Sequence, residues 1–560
     1  MHDDVTGRVI RCTAACSALG AAMRRRSTGF ATATVLGFAG LVSVPTTGHA
    51  APPGHTTRLG GVEPEGAATA GVTGLHYNPA MLATLRGTAV HANIGLGAAY
   101  SRIRRNAIAT ETGAPDGELL EPTNLLNPTM NYFVGASFYF DPWALAVGIY
   151  DVGSTYNLAS SAPVRFHLAP DPDPQCLRLG KKHCAPNGGQ VSHQTDATVA
   201  LAWNGGRFQL GAAAHFPLVR ERFAFDNDTE LTPDDSGLIR RCESKEDPSC
   251  AERVGFKGWN HWIPRDGVPP GFDAALSLGA AVSLSRGKVT LGVRYRTAPL
   301  RRGGEVVLGG VSLVCRPDPT QDTDAAPDLV PACDGAAPTT ATLRQRLPQQ
   351  VALGGSALLG RARLWRIDVS MQWVDYCAGG LAAGRCAESG AQTLRLVGLD
   401  RQSFVLPEFS RYRGLADVYS LDVYARYRLR TNASLVFAGH GASPSVRRGA
   451  DAANLASASR VGGSFGMRIK IPKTQVIVVP GYAVDFFVPR RVGTSDARLD
   501  PVAATSFDDS GGDLNSAAAD AVLAGRARPT NAGRYFAMTH AVSVALMWGE
   551  ASAQLDWRLD

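Results

Sequence analysis

Apolar and polar residues alternate with a period of two in fourteen separate runs of this 560-residue chain, and the connections between runs are short and long in turn. In residues 88–101, Val90, Ile94, Leu96 and Tyr100 share one face, and His91, Asn93, Gly95 and Ser101 share the other. A period of two is the signature of a strand with one apolar side. The pattern predicts strands over 88–101, 130–140, 143–156, 195–203, 207–219, 272–284, 288–298, 347–359, 364–376, 417–429, 433–440, 459–471, 475–488 and 535–548. Short connections such as Asp141-Pro142, Asn204-Gly205-Gly206 and Pro472-Lys473-Thr474 read as tight hairpins. An even number of strands with turns short on one side and long on the other is the plan of an outer-membrane barrel. The expected fold is therefore all-β: a fourteen-stranded antiparallel transmembrane β-barrel over residues 87–548. The long connectors, near 103–128, 158–193, 221–271, 299–342, 377–416, 441–458 and 489–534, are rich in Pro, Asp, Gly and Ser and are expected to be solvated loops.

Bulk properties agree with that plan. The formal charge of +7 is spread along the chain, so no stripe for nucleic acid stands out. Beyond the N-terminal segment, no apolar run reaches the ~20 residues of a membrane helix. That segment reads as a signal peptide over residues 1–50: Arg24-Arg25-Arg26, a short apolar stretch from Phe30 to Pro45, then Gly48-His49-Ala50 before Ala51. An inner-membrane anchor is the alternative, and Met23 is a second candidate start. Cleavage would remove Cys12 and Cys16 and leave eight cysteines in four local pairs: Cys176 with Cys184, Cys242 with Cys250, Cys315 with Cys333, and Cys377 with Cys386. Each pair lies in one long connector, and none has zinc-site spacing, so disulfides within loops are the simplest reading. No metal or cofactor is expected.

Residues 51–86 do not alternate. They hold Gly66-Ala67-Ala68-Thr69-Ala70-Gly71 and then Tyr77-Asn78-Pro79-Ala80-Met81-Leu82. Small residues suit packing in a confined space, and a wide barrel leaves a lumen to fill. Together with Gly292-Val293-Arg294-Tyr295-Arg296-Thr297, Leu347-Pro348 and Gly533-Arg534-Tyr535, this stretch resembles the FadL/TodX family of outer-membrane transporters for long-chain fatty acids and other hydrophobic compounds. The resemblance implies an N-terminal hatch over 51–86, with Tyr77, Asn78, Pro79 and Ala80 as its motif. It also implies a kinked third strand near Gly148, Asp151 and Gly153, through which ligand leaves sideways. Residues 549–560 depart from the family pattern as an extension without a terminal aromatic residue.

The charged positions on the inner faces complete the reading. Arg366, Arg426, Arg428, Arg468 and Lys470 form a basic collar near the turns, with Glu63 and Glu65 of the hatch as partners, or else with the lumenal charges, the inward Asp368 among them, pairing with one another or binding water. Arg294 and Arg296, with Tyr295 beside them, are the candidate ligand-binding group, since a guanidinium offers a fork to a carboxylate. Gly462-Gly463-Ser464-Phe465-Gly466 matches a hydrolase pattern but lies within a strand run, where the nucleophile's elbow cannot form. The expectation is a monomeric transporter, not an enzyme. It would take long-chain fatty acids or aromatic hydrocarbons and be surrounded by outer-membrane lipid. The alternative is a diffusion porin or a surface-binding barrel whose stapled loops carry the function.

Overall fold

The computed structural model describes residues 59, 61–63, 65–108, 115–119, 123–156, 164–165, 191–228, 231–233, 239–241, 251–260, 273–285, 288–315, 339–360, 364–376, 392–397, 408–411, 416–444, 458–492, 502–503 and 533–549. The expected signal segment and most of the C-terminal extension lie outside them. So do seven of the eight loop cysteines: Cys176, Cys184, Cys242, Cys250, Cys333, Cys377 and Cys386. Cys315 alone is described, as the last residue of a strand, and its expected partner Cys333 is not. The four expected disulfides therefore lie outside the described residues.

Fourteen long antiparallel strands form the wall. They are β1 (Thr88–Ile108), β2 (Thr123–Phe140), β3 (Trp143–Tyr156), β4 (Val191–Gly205), β5 (Phe208–Asp228), β6 (Ala275–Leu284) and β7 (Val289–Arg296). They continue as β8 (Gln349–Leu359), β9 (Trp365–Asp375), β10 (Val418–Arg430), β11 (Ala433–Ala442), β12 (Arg460–Lys470), β13 (Val476–Val492) and β14 (Gly533–Trp548). Each pairs with its neighbour in sequence, and Ile94 of β1 faces both Tyr132 of β2 and Val544 of β14, so the wall closes. Closure removes the free edges that an open sheet would expose. Alternation then sorts the side chains. Leu96, Leu145, Val147, Leu201, Leu210 and Leu278 are exposed on the outer surface. Trp143, Trp365 and Trp548 lie outward at the turn end, where Trp365 meets the Tyr427 ring at 4.6 Å. A continuous apolar belt rimmed by aromatic residues is a surface built for hydrocarbon rather than water.

Residues from Gly61 onward fill the lumen. The short helix α1 (Gly74–Tyr77) and a 3-10 turn (Pro79–Thr84) are joined at Asn78, whose side chain accepts from the Ala80 amide at 3.1 Å. Pro79 costs nothing there, because the first amide of a helix has no internal partner. The barrel receives this hatch on four cross-strand glycine pairs: Gly135 opposite Gly148, Gly211 opposite Gly279, Gly292 opposite Gly354, and Gly466 opposite Gly481. A methyl group at Gly148 would stand 2.8 Å from Leu75, and one at Gly354 would stand 2.9 Å from the Ala68 amide. Side chains at Gly211 and Gly279 would strike Pro79 and Asn78, those at Gly466 and Gly481 would strike Val62, and one at Gly292 would strike the Ala67 carbonyl. Val62 packs among Ile477, Val479, Ala545 and Met547, and Leu59, Val72, Leu75, Leu82 and Leu85 are fully buried.

The connectors correct the sequence reading. Composition marks 221–271, 299–342 and 377–416 as solvated loops, yet they hold strands that extend the barrel's own sheet upward as a branch from β5. The far half of β5, Arg220–Asp228, leaves its ladder with β6 and pairs with Ala251–Trp259. That strand pairs with Glu305–Cys315, then Thr339–Arg346, Gln392–Val397, Glu408–Arg411 and Val502–Ala503 follow in order. Phe256, Val306, Leu308 and Leu343 are buried in this upper sheet. Asn260 sits at the fork. Its side chain donates to the Pro217 carbonyl at 2.7 Å and accepts from the Val219 amide at 2.5 Å, so the backbone groups freed where the two ladders diverge are satisfied.

Candidate functional site in the wall beside the hatch

The barrel ladder is incomplete at one place. Pairing between β2 and β3 runs from Phe140 opposite Trp143 to Phe133 opposite Tyr150 and ends there among the described residues, although both strands continue. On its other side β3 stays paired with β4, from Trp143 opposite Trp203 to Tyr156 opposite Val191. That ladder shifts register between Asp151 and Gly153, so Val152 is an insertion in β3 relative to β4. An insertion of this kind bends the strand that carries it. The bend coincides with the end of the β2 ladder and leaves a gap in the β2–β3 backbone pairing above Phe133 and Tyr150. Gly148 has a separate task, since it takes Leu75 of the hatch.

Behind the gap lies a buried polar network. Arg296 of β7 donates through Nη2 to Asp196 of β4 at 2.6 Å, and both side chains are buried. Arg294 donates to Gln350 at 2.8 Å and to the His76 carbonyl of the hatch. Tyr150 hydrogen-bonds Thr198 at 2.9 Å and His215 Nδ1 at 3.0 Å, stacks on Phe133 at 5.5 Å and meets the His76 ring edge-on at 5.3 Å. Val152, Gln194, Arg296, Pro299, Leu347 and Gln350 are among the residues lining a small cavity of about 20 Å³ at this spot, room for roughly one water. Arg296 Nη1 is buried and makes no hydrogen bond. Arg294 and Arg296 thus face inward as alternation predicts. Tyr295 does not join them. It lies on the outer surface, 40 % exposed, and donates to Gln349 at 2.8 Å, because neighbouring strand residues point to opposite faces.

The basic collar is real and is divided between both expected partnerships. Arg468 donates to Glu63 of the hatch at 3.0 Å, with both side chains buried. Arg366 grips Asp368 two residues along its own strand through Nε and Nη2, each at 2.9 Å, and Thr69 of the hatch donates to the same carboxylate at 3.1 Å. Within the hatch, Glu65 accepts from Tyr77 at 2.5 Å. Burial, and then the neighbouring Glu65 carboxylate, hold the Tyr77 phenol well above its usual range. Asn78 ties the hatch to itself and to the wall, donating to Ala67 at 2.5 Å and to Ala280 at 3.2 Å.

Sequence reasoning missed Tyr150, Asp196, His215 and Ser277. Strand parity was a usable signal for Asp196 and His215, which occupy inward positions on β4 and β5. Ser277, His215 and Asp196 even line up in the order of a hydrolytic relay, with Ser277 Oγ at 2.7 Å from His215 Nε2. The geometry is structural. Asp196 is 3.9 Å from His215 Nδ1, which Tyr150 and Thr198 already engage, and all three residues are fully buried from any substrate. Among the described residues no cluster of His, Cys, Asp and Glu is placed to hold a metal. Gly462–Gly466 lies inside β12, as the strand pattern implied.

No protein-family model matches the chain, and no curated protein matches it. Solved structures do. A FadL homologue of Pseudomonas aeruginosa superposes with a TM-score of 0.57 at 12% identity, over 90% of this chain and 99% of that one. A deltaS2S3 mutant of the monoaromatic hydrocarbon channel TodX superposes with a TM-score of 0.50 at 11% identity, over 88% of this chain and 97% of that one. The chain shares the hatched fourteen-strand fold of these proteins.

Proposed function

We propose that this protein carries hydrophobic molecules inward across a bacterial outer membrane, long-chain fatty acids before aromatic hydrocarbons, and releases them sideways through the gap between β2 and β3. The observation that carries the reading is the coincidence of three features at one height. The β2–β3 ladder stops at Phe133 and Tyr150, the inserted residue Val152 bends β3, and a cavity lined by Val152 and Arg296 lies behind them. The hatch blocks the straight route. The outward apolar belt supports the membrane setting, and the shared fold supports the class of cargo. Arg296, with one nitrogen held by Asp196 and the other unbonded, favours an amphipathic ligand whose carboxylate docks in place while its chain finds the gap. Removal of residues 1–50 on export completes the proposal, together with disulfides within the long loops, pairing Cys176 with Cys184, Cys242 with Cys250, Cys315 with Cys333 and Cys377 with Cys386.

Deletion of Val152 tests the route. Without the extra residue, β3 can pair regularly on both sides and the gap closes. Uptake of a radiolabelled long-chain fatty acid is expected to fall at least about tenfold, the effect of raising the exit barrier by ~1.4 kcal/mol, while the barrel remains folded by its heat-dependent shift on a gel. Unchanged uptake by a folded deletion variant refutes lateral release. Ion conductance of the reconstituted wild type separates the porin alternative, which requires an open channel that a seated hatch denies.

A further inference from the structure

The outer face of the wall over the gap carries a polar group where alternation calls for an apolar one. On β4 the outward positions Val199 and Leu201 are 45 and 47 % exposed, as lipid-facing residues should be. Two steps up the same face, Thr195 is only 4 % exposed. What covers it comes from a strand that is not its neighbour. Tyr132 of β2 reaches across β3, and its hydroxyl lies 2.6 Å from Thr195 Oγ1. Thr195 Oγ1 lies 2.8 Å from His193 Nε2, and the Tyr132 and His193 rings stack at 6.5 Å with 25° between their planes. Thr195 is paired through the backbone with Asp151, the last residue before the bulge. Tyr132 is the first residue of β2 beyond the point where its ladder with β3 stops. The link therefore spans the wall where the backbone does not.

We propose that Tyr132, Thr195 and His193 form a latch on the lipid side of the gap, which must part for a hydrophobic ligand to pass from lumen to bilayer and so sets the rate and bulk of what leaves. The proposal rests on the lateral route proposed above. Its chemistry suits the place. A hydroxyl released into hydrocarbon finds no water to bond with, so the closed arrangement is favoured until a ligand displaces it. The strength also suits a gate: a side-chain hydrogen bond inside a membrane protein is worth a modest amount, enough to hold the gap shut and low enough to open often. A long unbranched chain would need only the hydroxyl to let go, whereas a bulky ligand would also need the ring to swing clear.

Tyr132→Phe keeps the ring and removes the bond, and Thr195→Val removes the same bond from the other side. Each variant is expected to raise the initial uptake rate of a long-chain fatty acid roughly 3- to 10-fold, with the amount bound at saturation unchanged. The two together should not exceed Thr195→Val alone, since that change already deletes the shared bond along with the one to His193. The Val152 deletion, measured alongside, separates the two levels of the argument. If that deletion abolishes uptake while both latch variants match or fall below the wild-type rate, the latch is refuted and the lateral route stands. If uptake survives the deletion in a folded barrel, route and latch fall together. A faster rate in both latch variants with uptake lost on deletion supports the proposal.

Discussion

The turn-side half of the barrel and the wall around the bend in β3 treat the same strands in opposite ways. In the first, glycine pairs on adjacent strands let the hatch backbone touch the wall, and a buried ion pair and a hydrogen bond to a buried carboxylate pin it. In the second, the β2–β3 ladder stops beside an inserted residue, and a side chain of β2 reaches across β3 to β4. The lower region is specified by backbone contact, which tolerates no added atom. The upper one is specified by a few side chains that can swing. A molecule crossing this protein therefore meets a fixed floor and an adjustable wall.

The largest test of that contrast is charge. Arg468→Ala leaves Glu63 buried without its cation, and losing one partner of such a pair costs about 3–5 kcal/mol. The hatch should loosen, read as new ion conductance through reconstituted barrels. Silent membranes would show that the hatch is held by packing alone. Gly292→Ala is next. Its methyl group would meet the Ala67 carbonyl, and overpacking of this kind costs about 1–3 kcal/mol. Heat-dependent gel mobility should register it, whereas Gly439→Ala on β11, where a methyl group meets open space, should not. The smallest effect is Tyr77→Phe, a loss of about 1 kcal/mol at neutral pH with the bond to Glu65. A phenol whose folded value is raised gives stability that is intact below its unfolded value near 10 and fades as pH climbs past it. The wild type should therefore lose more stability between pH 9 and about 11 than the Phe variant does; identical alkaline unfolding curves would count against a buried neutral Tyr77.

Strand number and the inward set were legible because parity is local: Arg294 and Arg296 against Tyr295 needs only neighbouring residues, and the same rule that finds the arginines removes the tyrosine. The collar was legible as charge near turns, but its partners were not. Whether Arg366 bonds Asp368 or the hatch depends on how far a side chain reaches in a closed lumen. The upper sheet was hidden by composition. Val306, Val307 and Leu308 are a strand core, but the Pro- and Asp-rich residues around them set the reading of the whole connector. Tyr132 and Thr195 were the least visible, since their meeting depends on one ladder stopping and another shifting, and neither event has a signature within a few residues of either side chain.

The fork at Asn260 has a consequence for how the chain is built. After β5 the chain goes up to Ala251–Trp259, down to β6 and β7, up again to Glu305–Cys315 and Thr339–Arg346, and down to β8 and β9. One or two strands of the upper sheet are thus laid down before each of the hairpins β6–β7, β8–β9 and β10–β11, like a lace crossing between two rows of eyelets. Neither row can be drawn tight before the other. A barrel stalled halfway through insertion would leave both edges raw at the same point along the chain, and the polar side chain at the fork is the first knot.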